Sequence, residues 1–104
     1  MVHYDIRYSK SSESDLREIL RYIAVELGEP STALRMVETI DESLGNLFAL
    51  PQRYSLADDE YLAALDYRKL VVKNYIAFFS IDEESKKVNV ERILYAKRDW
   101  LHIL

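Results

Sequence analysis

Residues 2–9 alternate, with Val2, Tyr4, Ile6 and Tyr8 on one side and His3, Asp5, Arg7 and Ser9 on the other. Period two with aromatic and β-branched residues predicts a half-buried strand. The polar cluster Ser11-Ser12-Glu13-Ser14-Asp15 follows. Its hydroxyl and carboxylate oxygens suit the orphan amides of a helix start. The spacing then changes to steps of three and four through Leu16, Ile19, Leu20, Ile23, Ala24 and Leu27. One such stripe predicts an amphipathic helix, which Gly28 stops because it reaches positive φ without a Cβ clash. Glu29-Pro30-Ser31 leads tightly into a second helix with the stripe Ala33, Val37, Ile40, Leu44, Leu47 and Phe48, ended by Pro51. Gly45 inside it costs about 1 kcal/mol relative to Ala, a cost that close packing on the first helix would explain. So short a link predicts an antiparallel helical hairpin.

Residues 51–66 show no clear period. Asp58-Asp59-Glu60 reads as an exposed acidic knot, and Tyr61-Leu62-Ala63-Ala64-Leu65 fits either a short helix or the lead into a strand. From residue 67 the pattern is β. A strand over 67–73 turns at Lys73-Asn74. The nearly continuous apolar run 75–81 predicts a central strand covered on both faces. A polar loop at 82–86 leads to a last strand over 87–95, and residues 98–104 suit a short helix or tail. The order β-α-α-β-β-β predicts one α+β domain spanning 1–104. In it, an antiparallel sheet carries the N-terminal helical hairpin on one face, and the first strand joins the sheet.

Composition narrows the chemistry. Of 104 residues 49% are hydrophobic and 31% charged, a globular mixture. The chain holds no Cys, which excludes disulfides, thiolate zinc sites and cysteine nucleophiles. Gly28 and Gly45 are the only glycines and stand in no phosphate-binding pattern, and no Gly-x-Ser-x-Gly elbow occurs. His3 and His102 sit at opposite ends, without ligand spacing around either, so no metal or other cofactor is expected. Uncharged runs fall far below the ~18 residues of a membrane span, and the N-terminus lacks a signal peptide's apolar stretch. A soluble, cytoplasmic protein with no membrane partner is expected.

Charge is uneven. Residues 1–66 carry 6 Lys/Arg against 13 Asp/Glu, and residues 67–104 carry 8 against 5, within a net charge of -4. The basic set of the second part is the most informative. Arg68, Lys69 and Lys73 lie on one predicted strand; Arg92 lies on the last, with Lys97 and Arg98 just past its end, beside Tyr95 and Trp100. A meander brings such residues toward one surface, where cations hold phosphates and rings stack on bases. Alternation sends Arg68 and Lys69 to opposite faces, so the set does not share a single site. Arg92 shares its predicted face with Val88, Val90 and Leu94. That position suits a partly buried Arg paired with an acid such as Asp66 or Glu91.

The run Tyr67-Arg68-Lys69-Leu70-Val71-Val72-Lys73-Asn74-Tyr75-Ile76-Ala77-Phe78-Phe79 is followed by Ile81-Asp82-Glu83-Glu84. Then comes Val90-Glu91-Arg92-Ile93-Leu94-Tyr95-Ala96-Lys97-Arg98-Asp99-Trp100. In this order and spacing the chain resembles the RelE/ParE superfamily of toxins from bacterial toxin–antitoxin operons. The resemblance implies a growth-inhibiting toxin of a type II system, held inactive by a cognate antitoxin, either as a homodimer or in a toxin–antitoxin hetero-oligomer. Two targets follow from it: DNA gyrase, inhibited by binding in the ParE manner, or mRNA on the translating ribosome, cleaved without metal in the RelE manner. For the second, Lys69 and Arg98 are implied as phosphate clamps and Tyr95 as a base-stacking or proton-transfer group. For either target, the basic and aromatic set Arg68, Lys69, Lys73, Lys97, Arg98 and Trp100 supplies the candidate contacts. Ile76 stands where the RelE archetype has Arg, and no late Tyr occurs near Ile103. The Lys97-Arg98-Asp99-Trp100 ending is similar to ParE, and the balance leans toward gyrase.

Overall fold

A computed structural model describes residues 2–96. The N-terminal strand β1 (Asp5–Tyr8) is shorter than the alternating run, because Tyr4 already leaves the ladder to donate its amide to the Phe48 carbonyl. Helix α1 (Lys10–Arg21) starts before the Ser/Asp cluster rather than within it. Ser9 is the cap, its hydroxyl accepting from the Ser12 amide, and Ser12 is itself buried with its hydroxyl bonded back to the Ser9 carbonyl. The helix runs on as a π turn over Tyr22–Glu26 and stops at Gly28, whose φ of 68° is the left-handed value that favours glycine. Helix α2 (Pro30–Gly45) ends in a 3₁₀ turn, Asn46–Phe48.

Close packing does not explain Gly45. It holds ordinary right-handed helical angles, and a Cβ built there would meet nothing within 4 Å. Gly45→Ala is therefore expected to stabilise the fold by about 0.5–1 kcal/mol, because the chain loses less backbone entropy on folding. Thermal unfolding should show a midpoint a few degrees higher; an unchanged or lower one would contradict this account.

The ambiguous stretch resolves into a 3₁₀ turn (Pro51–Arg53), a single bridge from Leu56 to Arg68, and a one-turn helix α3 (Glu60–Ala64) capped by Asp59. Strands β2 (Arg68–Val72), β3 (Tyr75–Asp82) and β4 (Lys87–Tyr95) form the expected antiparallel meander. The sheet order is β1-β4-β3-β2. One feature of the expected sheet is corrected: β1 pairs with β4 in parallel, so the sheet is mixed. Period two reports which face a side chain takes and carries no information on strand direction, which here follows from where the helical hairpin returns the chain.

Both stripes bury against one sheet face. Ile19, Ile23, Ala33, Ile40, Leu44 and Leu47 join Val72, Ala77, Phe79, Val88, Val90 and Ile93 in the main core. On the opposite face α3 and its flanks cover Phe78 and Leu94 with Ala57 and Leu62. Strand β3 is thus covered on both sides, as its apolar run predicts. Two expected core residues are exposed: Leu27 at 55% and Phe48 at 44%. Where the β3–β4 hairpin meets β1, the Gln52 amide donates to the Tyr4 hydroxyl and to Glu83, and Tyr4 donates to Glu83 as well. These bonds hold the Glu83 carboxyl below its ordinary range. Among the described residues, no helix is long and apolar enough to cross a membrane.

Candidate functional site

The cations of β2 are largely consumed within the fold. Arg68 and Lys69 point to opposite faces, as alternation requires. The Arg68 guanidinium donates to the carbonyls of Gln52 (3.1 Å) and Tyr54 (2.6 Å), pinning the loop after α2 onto the sheet. The Lys69 ammonium meets Asp58 at 2.6 Å. The acidic knot is thereby divided between two tasks, since Asp58 neutralises Lys69 and Asp59 accepts from the Leu62 amide at the start of α3. Lys73 stands exposed in the β2–β3 turn at a φ of 55°. Lys97, Arg98 and Trp100 lie outside the described residues, as does His102. His3 packs edge-on against the Phe48 ring at 4.9 Å. Among the described residues no three His, Cys, Asp or Glu side chains gather as a metal-binding group.

Arg92 has the structural role its position suggests, with a different partner. The register of β3 on β4 shifts between Phe78 and Phe79: Phe79 faces Val90, Phe78 faces Arg92, and Glu91 is the extra residue. Such a bulge inserts one residue and re-aims the side chains beyond it. Val88 and Val90 therefore stay in the main core while Leu94 joins the opposite cluster. Arg92 turns to α1, where Asp15 receives its Nε and Nη2 at 2.8 Å each and also accepts the Ile93 amide at 2.9 Å. The Asp15 bond holds the guanidinium even more firmly protonated than an ordinary Arg. Glu91 instead accepts from the Ser80 hydroxyl at 3.0 Å.

The bulged end of β4 forms one wall of a cleft of about 550 Å³. Tyr75, Ile93 and Tyr95 line its sheet side, and Ile19, Tyr22 and Leu27 line its helical side. The rings of Tyr75 and Tyr95 lie 5.8 Å apart at 50°. Burial, with the neighbouring Tyr95 and Tyr22 hydroxyls, pushes the Tyr75 phenol above its ordinary pKa. On the rim, Arg21 bridges Glu18 and Glu26, both at 3.4 Å. Apolar and tyrosine side chains predominate in the lining, beside Asp15, Glu18, Arg21, Thr32 and Asn74, a chemistry that suits side chains of another protein. The sequence marks Tyr95 as a site residue and Leu27 only as part of the apolar stripe, and it does not single out Tyr22. Tyr22 lies three residues after the buried Ile19, so its helical spacing was visible; the π turn that shifts this end of the helix was not.

A family model described as the ParE toxin of the type II toxin-antitoxin system, parDE, matches residues 6–100. No curated protein matches the chain. Among solved structures, the chain is similar to the chromosomal ParDE toxin–antitoxin system of P. aeruginosa, with a TM-score of 0.75 and 21% identity over 91% of this chain and 98% of that one. A mutant of the E. coli toxin RelE in the free state gives 0.66 and 14%, over 98% and 93%. The RelBE2 toxin–antitoxin complex of Mycobacterium tuberculosis gives 0.62 and 18%, over 90% and 99%. At these identities the structural likeness speaks for the fold.

Proposed function

The chain belongs to the ParE toxin family of type II toxin–antitoxin systems, and on that premise we propose that it arrests growth by binding DNA gyrase rather than by cutting mRNA. The observation that carries this reading is the state of the cations. A metal-independent ribonuclease needs positive groups free to hold the scissile phosphate. Among the described residues, Arg68 is bonded to backbone carbonyls, the Lys69 ammonium meets the exposed Asp58, and Arg92 is bonded to Asp15. Tyr95 shares its edge of the cleft with the Tyr75 ring. Lys73, Lys97, Arg98 and Trp100 are the residues we assign to target contact.

A cognate antitoxin is the second partner. The solved relatives include toxin–antitoxin complexes, and the tyrosine-rimmed cleft is the surface that an antitoxin segment folding on contact would cover. Purified protein titrated into a gyrase supercoiling reaction should inhibit it, and antitoxin from the adjacent reading frame should reverse the inhibition. Unimpaired supercoiling at saturating protein would overturn the gyrase assignment. Codon-spaced cuts on translated mRNA, mapped by primer extension, would replace it with the ribonuclease reading.

A further inference from the structure

Strand β4 has nine residues, but β1 pairs only with Lys87–Val90, so the rest of that edge needs another cover. The start of α1 supplies it. The Ser9 amide donates to the Val90 carbonyl and the Ser9 hydroxyl to the Glu91 carbonyl, and Asp15 accepts the Ile93 amide together with the Arg92 fork. The Asp15 and Arg92 side chains are 12% and 21% exposed. Asp15 thus grips the strand immediately beyond the bulge, two residues before Tyr95. It connects the helix that forms one wall of the cleft to the strand that forms the other.

We propose that Asp15 is a positioning residue, which sets the distance and tilt between the two walls of the cleft and so its fit to the antitoxin. The inference rests on the reading that the antitoxin occupies this cleft. An ion pair that served stability alone would require only charge and burial. Asp15 additionally fixes backbone, because one oxygen, Oδ2, takes both the Ile93 amide and Arg92 Nε while Oδ1 takes Nη2.

Two variants separate these roles. In Asp15→Asn the amide oxygen can occupy the Oδ2 position and keep the bonds to Ile93 and Nε, while charge and the Nη2 bond are lost. In Asp15→Glu the charge pair survives, but the added methylene displaces the carboxylate from the strand. Positioning therefore predicts opposite orders of stability and binding. Asp15→Glu should have the higher unfolding midpoint of the two, yet bind antitoxin from the adjacent reading frame about tenfold more weakly than wild type. Asp15→Asn should melt lower yet bind within about threefold of wild type. Binding that follows the order of the melting midpoints, or that changes in neither variant, would overturn the proposal. If no antitoxin binds the wild-type protein, the reading of the cleft fails by itself. The positioning claim is then decided by the Tyr75–Tyr95 ring contact in NMR spectra, which should be kept in Asp15→Asn and altered in Asp15→Glu; the reverse pattern, or no change, would sink it.

Discussion

Phe79→Ala is expected to remove about 3–5 kcal/mol of stability, a large share of the 5–15 kcal/mol typical of single domains. Phe79 is wholly buried in the middle of β3, where it shares the main core with the helical stripes and sets its ring edge-on to Tyr54, the centroids 6.1 Å apart. Truncation removes the transfer free energy of a phenyl group and leaves a cavity that rigid neighbours on a sheet fill poorly. For a domain of this length, about 4–8 °C of unfolding midpoint accompanies each kcal/mol, so the midpoint should fall by about 12–40 °C. In urea the midpoint should fall with an unchanged slope. Phe48→Ala is the control, because Phe48 is exposed and its ring meets His3 edge-on. A loss at Phe79 no greater than at Phe48 would contradict the assignment of the core.

Arg92→Ala is expected to cost on the order of 3 kcal/mol, because it leaves the nearly buried Asp15 carboxylate with the Ile93 amide in place of its charged partner. The cost comes from the orphaned charge more than from the lost attraction, so an apolar pair at both positions should recover part of it. Arg21→Ala removes a residue with two ion pairs and should have no measurable effect, since both are exposed, long and screened by water. Equal melting midpoints for the Arg92 and Arg21 variants would show that the contact at the bulge carries no special weight.

The legibility of this fold follows the range of the interactions concerned. The stripes of α1 and α2, the turn at Lys73-Asn74 and the doubly covered β3 were readable because each depends on neighbours within a few residues. The limits of β4 matched the sequence reading at both ends. The site was less legible. Lys69 and Arg68 were marked for their charge, yet their partners, Asp58 and the carbonyls of Gln52 and Tyr54, lie on a loop whose path no local pattern records. Arg92 suits an acid partner, but the bulge at Glu91 shifts the parity of the strand, and the partner is Asp15 on α1, 77 residues away.

Periodicity, breakers and charge are local properties of the chain, so the sequence by itself determined the two long helices, the four strands, most of the faces they bury and the family motifs they carry. Strand direction, the bulge and the choice of salt-bridge partner arise from contacts between residues far apart along the chain. Only the tertiary structure decided that β1 runs parallel to β4, that three of the marked cations are held internally, and that tyrosines from a helix and two strands meet around one cleft.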